Sequence, residues 1–354
     1  MNTGKRVVLK IGTSSLITDG RVDPQRLDRL CEAIQRGIAA GLAPVLVASG
    51  AIAAGRTAYP EIARSGGDAA QQVAAALGQG LLYPALRDRF AAAGLVTGQV
   101  LLTPHDLIEP DSGVRVRALF DEMHRHGYLP IVNENDALGV RNNDVLAALL
   151  SGFLEAELLL LLTNVPGLYD GNPMLGASAR RIGHVPALNA EFEAMAGDST
   201  GDGGTGGMRM KLAACWIATY SGVRTVIADT ADPAVLIDAY RGVDVGTDFA
   251  PRPVHGKPPS AGRLWRAFRT PPRGAITLGP AGRLAIEHRQ PLRRVQITTA
   301  RGRFRAGDVV DLTGPDQRLL ARGGIRFGAQ SVEFGCAPDT ALLAGSDYVR
   351  IGED

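Results

Sequence analysis

Lysine is scarce in this chain, and two of the few lysines stand where a phosphate could be held. Of 38 basic residues, only Lys5, Lys10, Lys211 and Lys257 are lysine; the rest are arginine. Lys10 closes the apolar run Val7-Val8-Leu9 and precedes Gly12-Thr13-Ser14-Ser15. Lys211 follows Gly203-Gly204-Thr205-Gly206-Gly207-Met208-Arg209-Met210. A compact ammonium can follow a moving phosphoryl group, whereas a planar guanidinium changes the geometry of the contact. Lys5 and Lys257 lie in loop-like settings and read as surface residues. The glycine-rich stretch before Lys211 formally matches GxGxxG over Gly201–Gly206, but no strand precedes it, so a dinucleotide-binding reading fails. No GxxxxGK[ST] occurs. What remains is a glycine-rich loop feeding a helix that starts near Met208, with backbone N–H groups suited to a phosphate. Asp136 and Asp144 add two carboxylates to the polar stretch Asn133-Glu134-Asn135-Asp136 through Asn142-Asn143-Asp144. That stretch reads either as a solvated loop or as a site for a polar substrate that also orients the lysines. The histidines have no metal-ligand spacing, and His124 and His126 read as surface residues at a helix end.

The elements that would carry these residues alternate. Strand-like runs are expected at Val7–Ile11, Pro44–Ala48, Leu95–Leu101, Leu129–Val132, Leu158–Leu162 and Val223–Ala228. Helical spacing is expected at Arg26–Ala40, Gln71–Phe90, Val114–His126, Val145–Leu154 and Met208–Tyr220. Near-continuous apolar strands alternating with helices imply a mostly parallel sheet sandwiched by helices. Ligands bind such sheets at the carboxyl ends of the strands. The clusters Gly12-Thr13-Ser14, Ser49-Gly50-Ala51, Asn133–Asp136 and Thr163-Asn164 all fall at such ends, which points to one shared active site. Ala250–Pro259 reads as a linker. After Arg273-Gly274, short strands at Ala275–Leu278, Arg294–Thr299, Asp308–Leu312 and Tyr348–Ile351 suggest a small β-rich domain.

The bulk numbers exclude several classes. At 354 residues, two domains are expected. A net charge of +2 and 5% aromatic residues argue against a general nucleic-acid-binding surface. Cys31, Cys215 and Cys336 are too few and too far apart for a disulfide or zinc framework and suit a reducing compartment. No apolar leader or membrane-length stretch occurs, so a cytoplasmic location is expected.

Taken together, the motifs resemble the glutamate 5-kinase branch of the amino acid kinase family, with its C-terminal PUA domain. The resemblance rests on Val8–Ser14, Ser49–Arg56, Ile131–Asp136, Leu161-Leu162-Thr163, Gly167-Leu168-Tyr169 and Gly204–Met208, and covers nearly the whole chain. It implies an amino acid kinase domain over residues 1–250 carrying the ATP and glutamate sites, a linker over 251–273 and a PUA-like domain over 274–354. It implies ATP-dependent phosphorylation of the glutamate γ-carboxylate, the first step of proline synthesis. Aspartate, N-acetylglutamate or a nucleotide is the alternative acceptor, and a decayed kinase with an RNA-binding or regulatory role is the alternative class. By the resemblance, Lys10 and Lys211 flank the transferring phosphoryl group and Asp144 orients them. Ser49, Gly50, Ala51, Asn133, Asp136 and Asn143 would hold glutamate, with Asp136 on its α-ammonium. Lys10, Gly12, Thr13, Ser14, Thr163, Asn164 and the segment Thr205, Gly206, Gly207, Met208, Arg209, Met210 and Lys211 would hold ATP. Mg²⁺ would bridge the phosphate oxygens without a closed set of protein ligands. The family also implies a homo-oligomer, proline inhibition and hand-off of product to glutamyl 5-phosphate reductase. RNA binding by the PUA-like domain has no support in the sequence. The chain departs from the family pattern at Asn142 and Asn164, where aspartate is usual, and at Met210, where a small hydroxyl residue is usual. The loop between Asp136 and Asn143 is short, and the text after Pro291 matches weakly.

Overall fold

The computed structural model describes residues 4–139, 142–171, 179–196, 207–253 and 258–351. Contacts divide these residues into two compact units, one within Met1–Leu188 and Phe192–Pro253, the other within Asn189–Glu191 and Val254–Asp354.

The first unit is built on an eight-stranded sheet. Its strands are β1 (Lys5–Ile11), β2 (Leu42–Ala48), β3 (Thr97–Leu102), β4 (Leu129–Glu134), β5 (Leu158–Thr163), β6 (His184–Val185), β7 (Arg224–Asp229) and β8 (Gly246–Phe249). Their order across the sheet is β3-β4-β2-β1-β5-β7-β8-β6. The six neighbours from β3 to β7 are parallel, and β8 runs antiparallel to β7. β2, β4 and β5 are buried along their full length, so Leu42–Ala48, Leu158–Leu162 and the first four residues of β4 are apolar on both faces rather than alternating. The covering helices are α1 (Pro24–Ala39), α2 (Ala51–Ala58), α3 (Gly67–Ala92), α4 (Pro110–Arg125), α5 (Asn143–Phe153), α6 (Met208–Tyr220) and α7 (Val235–Arg241). α1 starts where the Asp23 side chain accepts from the backbone of Gln25 and Arg26, with Pro24 in the first helical position. Leu30, Ile34, Leu86 and Phe90 from α1 and α3 pack with Leu9, Ile11, Leu46 and Leu160 of the sheet in one buried core.

α2 and α3 cross with their backbones nearly touching. A Cβ on Gly78 would lie 1.8 Å from the Ala51 carbonyl oxygen, and one on Gly55 would lie 2.0 Å from that of Ala74. Only glycine permits this approach. His124 departs from the surface reading. It is half-buried, and its Nε2 lies 3.2 Å from the Pro44 carbonyl oxygen. Burial holds its imidazole below the usual histidine range.

The second unit carries a five-stranded sheet of β9 (Gly274–Leu278), β10 (Ile297–Gly302), β11 (Val309–Thr313), β12 (Leu319–Gly324) and β13 (Tyr348–Arg350), in the order β10-β9-β11-β12-β13. Ile276, Leu278, Val310, Leu312, Ala321 and Tyr348 form its core. β12 was not expected, because Arg322 and two glycines break its apolar run. Arg322 is nevertheless buried, with its Nε 2.6 Å from Asp311 Oδ1. The stretch read as a linker over residues 251–273 contains a helix, α8 (Ala261–Phe268), capped by Ser260. It forms because Leu264, Ala267 and Phe268 fall on one buried face. Among the described residues, no helix is long and apolar enough to cross a membrane.

Candidate active site

Parallel pairing brings the carboxyl ends of β1, β2, β4 and β5 to one rim. Ile11 lies between Ala48 and Leu162, and Val47 pairs with Val132. Lys10 lies on the central strand β1, one residue before its end, and is 5% exposed. Its ammonium lies 2.9 Å from Oδ1 of Asp144, an ion pair outside ideal hydrogen-bond geometry. Lys211 donates to the other oxygen of Asp144 at 3.2 Å. Asp144 itself is 2% exposed. One buried carboxylate thus holds two ammonium groups that are far apart in the sequence.

The local chain explains why these groups meet. Asp144 stands in the first turn of α5, where Asn142 is the N-cap and accepts from the Asp144 and Val145 N–H groups at 3.1 and 3.2 Å. A carboxylate there also faces the positive end of the helix. Lys211 stands in the first turn of α6, whose N-terminus no side chain caps. The other end of α6 is fixed by the Arg252 guanidinium, which lies over both Trp216 and Tyr220. Burial alone would push the Asp144 carboxyl up, but Lys10 and Lys211 overcome this and hold it below the usual carboxylate range. Burial lowers the Lys10 ammonium, Asp144 opposes that shift, and neighbouring Lys211 adds to it. The three charges sum to one positive charge in a water-poor site. That arrangement suits an anion whose charge moves during reaction.

The other expected residues fall around this pair. Gly12 begins the turn after β1, and its neighbour Thr13 is half-buried while Ser14 is exposed. Ser49 is buried at the end of β2, and its N–H donates to the Ile11 carbonyl at 3.3 Å. Gly50 has φ +123, which a side chain would strain, and it starts α2 at Ala51. Thr163 is buried at the end of β5, with its hydroxyl 3.4 Å from the exposed Asn164 side chain. Gly207 and Arg209 are exposed at the start of α6, and Met208 and Met210 are half-buried. Thr205 and Gly206 lie outside the described residues.

Asn133, Asp136 and Asn143 form the adjoining polar cluster. The Glu134 N–H donates to Asn143 Oδ1 at 2.9 Å, and Asn143 Nδ2 donates to Asn133 Oδ1 at 2.9 Å. Asn133 Nδ2 donates to Gln79 Oε1 at 2.7 Å. Asn143 directly precedes Asp144, so this chain of amides runs into the ion-paired group. Three members of the site were missed in the sequence. Gln79 sits inside a long helix pattern and carried no signal. Ser15 directly follows Gly12-Thr13-Ser14 and was not singled out; its hydroxyl is buried beside Gly12 with no hydrogen-bond partner among the described residues. Glu134 lay in the stretch read either as a solvated loop or as a polar-substrate site and was given no role of its own, yet it is 2% exposed and accepts from the Asn142 N–H. Burial pushes its carboxyl up to about 7, with Asp136 adding to the rise.

No group of three or more His, Cys, Asp and Glu side chains capable of holding a metal ion occurs among the described residues. The one buried carboxylate between the lysines is already engaged by both. The described side chains therefore offer a divalent cation no closed ligand set of their own.

The mostly parallel α/β sheet thus carries two lysines on one aspartate at its carboxyl rim, an arrangement whose fixed charge suits phosphoryl transfer. The model of the amino acid kinase family matches residues 5–229. The chain is 34% identical to "Glutamate 5-kinase" of Trichlorobacter lovleyi, covering 99% of this chain and 94% of that one. It is 36% identical to "Glutamate 5-kinase" of Mycobacterium tuberculosis, covering 98% and 92%. Among solved structures it is similar to UMP kinase from Ureaplasma parvum, with a TM-score of 0.52 and 15% identity over 71% of this chain and 100% of that one. That last likeness concerns the fold alone. The chain belongs to the amino acid kinase family, within its glutamate 5-kinase branch.

Proposed function

We propose that the chain transfers the terminal phosphoryl group of MgATP to the γ-carboxylate of L-glutamate, giving L-glutamyl 5-phosphate for proline synthesis. The observation that carries this reading is the buried Lys10–Asp144–Lys211 group, in a chain matched nearly end to end by relatives named glutamate 5-kinase. A carboxylate with a pKa of about 4.3 is already an ionised nucleophile at neutral pH, so no general base is needed. The obstacle is bringing two anions together. Lys10 and Lys211 supply fixed positive charge on the transferring group, and Asp144 holds both ammonium groups in place. When bound, Mg²⁺ neutralises phosphate charge.

In this reading Ser49, Gly50, Ala51, Asn133, Asp136 and Asn143 hold glutamate. Gly12, Thr13, Ser14, Thr163, Asn164 and the 205–211 segment hold the nucleotide. Residues 1–250 carry both sites, and the β-rich unit that follows is a PUA-like accessory domain. The enzyme acts in the cytoplasm as a homo-oligomer, is inhibited by proline and delivers its labile product to a reductase. The acceptor is tested by ADP release with glutamate, aspartate, N-acetylglutamate and UMP, each with and without proline. Glutamate is expected to give the highest kcat/KM. A higher value with any other acceptor would overturn the assignment.

A further inference from the structure

We propose that Gln79 is a specificity-determining residue that binds the α-carboxylate of the acceptor amino acid. The inference rests on the glutamate reading and deepens it.

The argument is one of hydrogen-bond direction. A backbone N–H can only donate, so the Glu134 N–H fixes Asn143 Oδ1 as the acceptor facing it. Asn143 must then present its Nδ2 to Asn133, which accepts through Oδ1. Asn133 in turn presents Nδ2 to Gln79, which accepts through Oε1. Each amide's orientation follows from its predecessor's. The series ends at Gln79 Nε2, whose N–H groups have no acceptor among the described residues.

Gln79 lines a cavity of about 420 Å³, together with Ala51, Gln99, Asn133, Glu134 and Asp136. The cavity matches a drug-sized or smaller ligand. It offers a fixed donor pair at Gln79 and a carboxylate at Asp136. This is the complement of an α-amino acid zwitterion, with carboxylate to the amide and ammonium to the aspartate. Gln99 lines the same cavity, but no hydrogen bond fixes which end of its amide faces inward. Gln79 is held in place by backbone as well as by Asn133. It follows Gly78, where α3 touches α2 at the Ala51 carbonyl, so its Cα cannot retreat without opening that crossing. Asp136 and Glu134 are the acidic groups facing the site. Burial pushes the Glu134 carboxyl up to about 7, so near neutrality it carries only part of a full charge, which reduces its repulsion of an incoming carboxylate.

The test separates the two ends of the substrate. Glutarate keeps both carboxylates and lacks the ammonium; 4-aminobutyrate lacks the α-carboxylate. Both are measured as competitors of glutamate in the full-length enzyme. Gln79→Glu retains an acceptor for Asn133 and places negative charge where the substrate carboxylate would bind. It is expected to raise KM for glutamate and Ki for glutarate by about tenfold or more, the scale of one charge-assisted hydrogen bond. Ki for 4-aminobutyrate and KM for ATP should stay within about twofold. Gln79→Met removes the donors without adding charge, and with them the acceptor for Asn133; it is read by the same contrast between glutarate and 4-aminobutyrate and serves if the first variant does not fold. Equal weakening of all three acceptor-site ligands would mean that Gln79 only supports Asn133, and would sink the inference alone, as would no weakening. A wild-type enzyme with no glutamate turnover would remove the acceptor reading and this inference together.

Discussion

At the residue scale, burial assigns opposite behaviour to two carboxylates ten positions apart. Asp144 stays ionised because two ammonium groups face it, whereas among the described residues Glu134 has the Asn142 N–H on one oxygen and no hydrogen-bond partner on the other. The same desolvation acts on both, so the partner decides the charge. This predicts a pH-dependent stability that belongs to Glu134. Its carboxyl lies at about 7 in the folded protein, above the 4.5 of an unperturbed glutamate. The folded state therefore binds the proton more tightly than the unfolded state. Between those two values folding takes up a proton, and stability falls as pH rises; above about 7 the whole penalty is present. Glu134→Gln removes the titration. Urea midpoints of wild type and variant are expected to move apart from pH 5 to pH 8 in the variant's favour, by up to about 3 kcal/mol. Parallel midpoints across that range would show that Glu134 titrates normally.

At the element scale, the start of α5 matters most, because it positions both Asn143 and Asp144. Asn142 caps it with two hydrogen bonds. Asn142→Ala is expected to cost about 1 kcal/mol in urea unfolding, the usual loss for an N-cap. It should also lower kcat more than it raises KM for ATP, since Asp144 loses its fixed approach to Lys10. A variant with unchanged kcat would mean that the ion pairs alone fix Asp144. Most of these elements were legible beforehand. The runs at β1, β2, β4 and β5 read as buried strands because both faces are apolar, and the span of α6 matched from Met208 to Tyr220. Lys10 and Lys211 stood out because charge interrupted otherwise apolar or glycine-rich text, whereas Asp144 lay in the polar stretch Asn142-Asn143-Asp144 and was singled out to orient them by the family resemblance. What could not be read were contacts between elements. α2 was missed because Ala51–Ala58 has little polar contrast, and its packing depends on two glycines meeting α3. Gln79 enters the site only through that crossing. β8 runs antiparallel and short, and β12 is interrupted by a buried arginine, so neither carries a strand's sequence pattern.

At the scale of the whole molecule, the described site residues all belong to the first unit. Lys10, Ser49, Gln79, Asn133, Asp136, Asp144, Thr163 and Lys211 lie within Met1–Leu188 or Phe192–Pro253. The two units have separate hydrophobic cores, one around the parallel sheet and one around the five-stranded sheet. A domain with its own core can fold alone, and one of about 250 residues buries enough surface to do so. The charges are also unevenly shared. Residues 258–351 hold many arginines and no lysine, so neither of the phosphate-directed ammonium groups comes from that part. Chemistry that depends on positioning and fixed charge should therefore survive removal of the second unit. A chain ending at Pro253 is expected to keep a cooperative thermal transition. It should keep kcat for glutamate-dependent ADP release within about threefold of full length, and the glutamate-to-aspartate preference unchanged. A folded truncation that had lost its kcat would place part of the catalytic machinery beyond residue 253 and would refute the division of labour argued from these two cores.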